Sequence, residues 1–409
     1  HDVGIVRYLG GRTTVDMVGL TTAGAADSWR NGPGALAEFL GHTTPRPTYI
    51  ASYTDALGLS YLADSPIYGE ALVTYPLDIS ERYNVALAGR LQGVWRADWS
   101  MMDIANQPYQ PYIVGQLAGL TLSDSVNVAE LASETAHTYM WEDRERLDGF
   151  PSELYALDYA ACNAVCRIMD GGRRINGRES FTLHTRPNQD LLLVTRLHPA
   201  QSGTLRYEVN GEPVAVRVIP SIPGRWIDIA MRVDGARIGE QTTITVLPEV
   251  VGGHYMPYYH WAYQGEFAAP PTGEPLAVFA DHIGLYAAES IINGDQLTLT
   301  LTWGLLAPIR TDARLFVHLY DDLNAPPIAQ VDRYPIDGAT PPGNWLPDQI
   351  SDTIALTLGE VPDGRYTLAL GLYQPSNGER LPITVIPSPN FSSNAGRLLL
   401  GMIEVQHGG

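Results

Sequence analysis

The sequence contains no lysine. All 26 basic residues are arginine, set against 45 Asp and Glu, and the formal net charge is −19. That deficit of positive charge excludes wrapping nucleic acid, or adhering to an anionic membrane, by charge alone, because both need a dense cationic field. The nearest thing to an arginine cluster, Arg173-Arg174 with Arg178, reads as a solvated loop. Charge of either sign is sparse, 17% of residues against an ordinary ~25%. Hydrophobic residues make up 45%, and a disordered chain needs the opposite balance. No run reaches the ~18 apolar residues of a membrane span. Cysteine is almost missing: Cys162 and Cys166 stand alone, which excludes a disulfide scaffold. On a helix the two thiols would share a face. A redox or metal pair is one reading, and a pair of buried small apolar side chains is the preferred one. The chain also lacks an initiating Met and a signal peptide, so it reads as a processed product or a piece of a longer protein.

Glycine and proline are plentiful, 40 and 30 of 409 residues. This favours many turns and short strands. At roughly 100–200 residues per domain the length suits two to four units. The first, residues 1–105, reads as a small α/β domain. Ile5 to Tyr8, Thr14 to Val18, Thr48 to Ser52, Ala71 to Tyr75 and Val85 to Ala88 are predicted strands. A helix is predicted to start at Pro33 after Asn31-Gly32 and to stop at Gly41. Asn106 to Pro111 is a linker or crossing loop. A second unit, 106–266, has period-two patterning. Its clearest hairpin, Leu205 to Val218, turns at Asn210-Gly211. That turn pairs Tyr207 with Val214 and Leu205 with Val216, and Pro213 implies an edge strand. Ile227 to Met231 and Thr243 to Leu247 are further strands. A second linker, Phe267 to Pro275, leads to a third unit, 267–409. There Leu297, Leu299, Leu301 and Trp303 alternate with threonines, and Leu315, Val317 and Leu319 alternate likewise. Turns at Pro362-Asp363-Gly364 and Asn377-Gly378 complete the pattern of an antiparallel β-sandwich.

Common catalytic motifs are absent: no H-E-x-x-H, G-x-S-x-G, P-loop or EF-hand loop. Gly32-Pro33-Gly34-Ala35-Leu36-Ala37 fits G-x-G-x-x-A in form, but its Pro and the lack of a preceding strand argue against a dinucleotide site. The run Glu142 to Asp148 reads as a solvated loop, with acid–base work as the alternative. The densest aromatic stretch holds Tyr255, Tyr258, Tyr259, His260 and Trp261. Apolar sugar faces stack on such rings while Tyr and His tips bond hydroxyls, so these five residues are the candidate binding site. The preferred reading of the stretch, which adjoins a linker, is an aromatic seam buried between two domains. His254 and His260 form a weak metal pair. Asp16 either marks a ligand site at a strand end or caps the following turn. No cofactor is predicted. Glu130, Glu134 and Asp143 leave room for a structural Ca²⁺ without a loop signature for it.

Stretches in all three units resemble a known family. Asp2-Val3-Gly4-Ile5-Val6-Arg7-Tyr8, Arg12 and Val15 to Thr21 resemble the segment following the last membrane helix of polytopic bacterial glycosyltransferases of the protein-mannosyltransferase type. Leu297 to Trp303, Phe316-Val317-His318-Leu319, Trp345-x-Pro347, Gly364-Arg365-Tyr366 and Gly378 to Pro382 resemble a β-sandwich appended to such enzymes in filamentous green bacteria. Ala129 to His137 and Tyr258-Tyr259-His260-Trp261 are similar to a galactose-binding-like jelly roll of the same proteins. The resemblance implies a multidomain, mainly β chain: the small α/β unit, then a jelly-roll-like and an immunoglobulin-like sandwich. It implies an extracytoplasmic, non-catalytic region that joins a membrane only through a preceding segment and binds a carbohydrate or glycoprotein acceptor. Two other readings are an extracellular structural subunit self-associating through sheet edges, and, least favoured, a glycoside hydrolase using Asp143, Glu145 and Asp148.

Overall fold

The structure, a computed structural model, describes residues 3–55, 60–77, 89–145, 148–250, 252–267, 270, 272–386 and 391–407. It is mainly β, with its helices gathered towards the N-terminal end. The strand expected at Val85 to Ala88 lies outside the described residues, as do His1, Asp2, Arg146, Leu147 and three positions of the second linker.

The N-terminal part departs from expectation at its start. Ile5 to Tyr8 belongs to a helix, α1 (Val3–Gly10), and Thr14 to Val18 forms no strand. Short β-branched runs carry β propensity only where a neighbouring strand pairs with them, and none does here. Asp16 is buried and accepts from the N–H groups of Val18 and Thr21, so it caps its turn. α2 (Ala25–Asn31) and α3 (Pro33–His42) follow, the latter with Pro at its first turn as predicted. The glycines before and within α3 serve packing. A Cβ on Gly34 would lie 2.3 Å from the Glu153 carbonyl oxygen, and Gly32 has φ 103°. The helix can therefore press directly onto the strand Ser152–Tyr159. A three-stranded sheet completes this part, in the order Tyr49–Tyr53, Leu91–Ala97, Tyr68–Pro76.

The middle part is a sandwich of a five-stranded and a six-stranded sheet. The predicted hairpin is present as Gly203–Val209 and Glu212–Ile219, with Asn210 and Gly211 both at positive φ, as a type I′ turn requires. A bulge between Tyr207 and Glu208 changes the register, so Tyr207 faces Ala215 and Leu205 faces Arg217. Pro213, which cannot donate to the ladder, sits at that irregularity on the edge strand. One pair, Arg225–Val233 with Ser152–Tyr159, is parallel. Cys162 and Cys166 form a disulfide across the turn that follows Ser152–Tyr159, which corrects the expectation of two free apolar side chains. Arg173 is buried and forms a two-pronged pair with Glu134 at 2.6 and 2.7 Å. It is therefore no solvated loop residue, and Glu134 is no free cation ligand.

The third part pairs two five-stranded antiparallel sheets. Leu297, Leu299, Leu301, Trp303, Leu315, Val317, Leu319, Leu368, Leu370 and Leu372 all point into its core, as their alternation predicted. This core does not stop at the sandwich. It continues through Tyr112 and Ile113 to Leu192, Val194, Ala230 and Trp261 on the outer face of the six-stranded sheet. The central strands of that sheet are consequently buried on both sides, and every residue of Leu191–Leu197 is buried.

Candidate functional site

Two-sided burial decides the fate of the aromatic stretch. The strand Pro257–Gln264 lies between Thr121–Asn127 and Leu191–Leu197, one place in from the sheet edge. Tyr255 and, within the strand, Tyr258, His260 and Trp261 are each at most 1% exposed. This corrects the expectation that Tyr255, Tyr258, Tyr259, His260 and Trp261 form a sugar-binding surface: a ring sealed in a core offers no face to a ligand. His260 stacks on Phe181 at 4.3 Å, with its nitrogens 2.9 Å from the Thr195 hydroxyl and 3.0 Å from Glu179. His254 is elsewhere, accepting from Arg174, so the two histidines make no metal pair. Tyr259 is half-buried and stacks on Trp261 at 4.5 Å.

Trp261 instead anchors the crossing loop. Its indole N–H donates to the Asn106 carbonyl at 2.9 Å. Beside it the Arg196 guanidinium, 4.9 Å from the Trp261 ring, donates to the carbonyls of Ala105 and Gln107, to Asp170 and to the Tyr159 hydroxyl, all at 2.6–2.7 Å. Asp228 accepts from the backbone N–H groups of Tyr109 and Gln110 and from the Tyr159 hydroxyl. Gln110 then donates to Thr340, and the Tyr112 N–H donates to Asp337, so the loop is bound to the third part as well.

Under α3 lies a polar cavity of about 190 Å³, lined by Glu38, His42, Arg46, Asn127, Asp170 and Tyr259. Glu38 is buried, and its carboxyl accepts only from neutral donors, the Asn127 amide at 2.8 Å and the Gly171 N–H at 3.2 Å. Burial pushes its pKa up to about 7. Asp170, its neighbour, is also raised by burial, with the Arg196 cation opposing.

An open polar cleft lies elsewhere, between the middle sandwich and the segment leading into the strand Arg314–Tyr320. It measures about 570 Å³, and its lining includes Arg144, Asn176, Thr204, Glu249, Arg310 and Asp312. The Asn176 side-chain oxygen accepts from the Arg144 N–H at 2.7 Å, and the Asn176 N–H donates to Asp143 at 3.1 Å. These bonds fix the charged run 142–145 against the cleft wall. Arg144 and Arg310 remain exposed. The cleft therefore offers guanidinium, amide, hydroxyl and carboxylate groups in one open surface. Sequence reasoning missed it because its residues come from six separate stretches, none carrying a motif.

No protein-family model and no curated protein matches the chain. Among solved structures it is similar to a calcium-binding mutant of Bacteroides uniformis β-glucuronidase 2, at 11% identity and TM-score 0.18, over 51% of this chain and 26% of that one. It is also similar to the C-terminal CBM6 of LamC, a laminarinase from Zobellia galactanivorans, at 11% identity and TM-score 0.19, over 30% of this chain and 98% of that one. A third is the CBM36-1 domain of a multidomain xylanase from the hindgut metagenome of Trinervitermes trinervoides, at 10% identity and TM-score 0.18, over 29% and 99%. The chain thus spans about a quarter of the glucuronidase's length. Likeness at this level carries no argument about what this chain does.

Proposed function

We propose that the chain is a non-catalytic, extracytoplasmic glycan-binding region, with its binding surface in the open cleft bordered by Arg144, Asn176, Glu249, Arg310 and Asp312. The observation that carries this reading is the cleft: an open polar surface of about 570 Å³ whose side chains can both donate to and accept from ring hydroxyls. The disulfide supports a place outside the cytosol, because such bonds persist where the compartment is oxidising. Attachment to a polytopic glycosyltransferase of the protein-mannosyltransferase type is supported by the sequence resemblance. The test is a glycan-array screen of the full chain, with Arg144→Ala and Asn176→Ala as controls. Binding of one glycan class, weakened about tenfold or more in each variant, is the expected result. Binding that both variants retain, or none at all, overturns it.

One observation favours a structural subunit as the second reading. Tyr68–Pro76 is an edge strand, and its Leu72 and Tyr75 are exposed, so it can accept a strand from another copy. Light scattering across a wide concentration range separates the two readings: a constant mass near 44.6 kDa favours the binding region, and ordered growth favours the subunit.

A further inference from the structure

Asp124, His137 and His184 come together from three separate elements of the middle sandwich. Asp124 lies on Thr121–Asn127, the edge strand of the six-stranded sheet. His184 ends Arg178–His184 in the opposite sheet, and His137 directly follows the short helix Leu131–Ala136. One atom from each residue lies within 4.8 Å of the other two. His137 Nε2 is 3.2 Å from Asp124 Oδ1, and His184 Nδ1 is 3.3 Å from Asp124 Oδ2.

We propose that these three residues form a zinc site that clips the two sheets of the middle sandwich together. The donor set is the first reason. Two imidazoles and one carboxylate suit Zn²⁺, whereas Ca²⁺ asks for six or more oxygens. The spacing is the second. Zinc bonds of about 2.0–2.1 Å in a tetrahedron place neighbouring donors about 3.3 Å apart; the His137 and His184 nitrogens lie 3.2 and 3.3 Å from opposite oxygens of Asp124, so the carboxylate would face the ion with both oxygens. The outer shell is the third. The His137 Nδ1–H donates to the Ser133 carbonyl at 2.7 Å, which turns Nε2 towards Asp124. The Asp124 carboxylate is itself oriented by the N–H groups of Ser125 at 2.9 Å and His184 at 2.6 Å. Such partners orient true metal ligands. With Nδ1–H already committed, the Nε2 lone pair would point at a carboxylate oxygen, and a shared cation relieves that repulsion. His184 is largely open to solvent, its side chain 61% exposed. This leaves a fourth position for water, an open rather than a closed coordination shell.

The rival arrangement is a metal-free network in which a second proton on His137 takes the place of the ion. The experiment uses the full chain, untagged and stripped with a chelator. It is titrated with Zn²⁺ by calorimetry and with Co²⁺ by visible absorption. One Zn²⁺ per chain, a tetrahedral Co²⁺ spectrum and a thermal midpoint that rises with Zn²⁺ are expected. His184→Ala removes an exposed ring and leaves the core untouched. It should weaken Zn²⁺ affinity by about 100-fold and abolish the rise in midpoint. Asp124→Asn should also weaken the affinity. No stoichiometric binding by the native chain, or an unchanged affinity in His184→Ala, overturns the proposal.

Discussion

The indole of Trp261 and the carbonyl of Asn106, 155 positions apart in the chain, are joined at 2.9 Å beneath the Arg196 guanidinium. This contact gives the aromatic stretch a structural role. Trp261→Phe keeps an aromatic ring but loses the N–H donor and part of the buried ring volume, which should destabilise by about 2 kcal/mol. Trp261→Ala also opens a cavity and should cost about 3–5 kcal/mol. Calorimetric melting checks both. A Trp261→Ala variant with the native melting point would sink the anchoring role.

Arg196 satisfies two loop carbonyls and one buried carboxylate at once. Arg196→Met leaves Asp170 buried without its cation and should destabilise by about 3–5 kcal/mol. Asp170→Asn combined with Arg196→Met should recover part of that loss, because it removes the stranded charge. Denaturant midpoints of the two singles and the double measure the coupling.

Glu38 makes stability depend on pH. Unfolded, it releases its proton near 4.5, and folded near 7. Between those values the native state binds the extra proton. Stability is therefore fully present below about pH 4.5 and falls as pH rises through 7, by about 3 kcal/mol. Glu38→Gln should flatten this part of the profile. Melting points from pH 4.5 to 8 test it, and an unchanged slope in the variant would reject the assignment.

The disulfide spans only four positions of sequence, so the loop entropy that it removes is small. Replacing both cysteines with serine should lower stability by no more than about 2 kcal/mol. Thiol titration of the native chain without reductant should find no free thiol.

Legibility in the sequence followed the number of faces each element buries. Leu297 to Trp303 buries one face, and its strict alternation reads directly. Leu191 to Val194 is a continuous apolar run, and that was the available sign of a sheet covered on both sides. Read together with Tyr258 to Trp261, it would have placed those rings in a core. The hairpin turn was legible from Asn210-Gly211, whereas its bulge was not, since an extra residue leaves the turn residues unchanged. Neither the polar cleft nor the Asp124, His137 and His184 cluster could be seen, because each is assembled from distant stretches. Glu38 carries no motif, and its burial depends on Asn127 and Gly171, which are distant in sequence.

The buried crossing loop has a practical consequence for anyone cutting the chain into pieces. A boundary drawn at residue 105 or 106 passes through the segment whose carbonyls fill the Arg196 guanidinium and the Trp261 indole. A fragment beginning after Gln107 would carry both donors without the Ala105, Asn106 and Gln107 carbonyls that accept from them. Protease nicking at this loop should therefore be slow, and a nicked chain should stay together until denatured. The shortest piece that keeps the middle sandwich intact has to begin upstream of Ala105 and extend past Thr340, where Gln110 finds its partner.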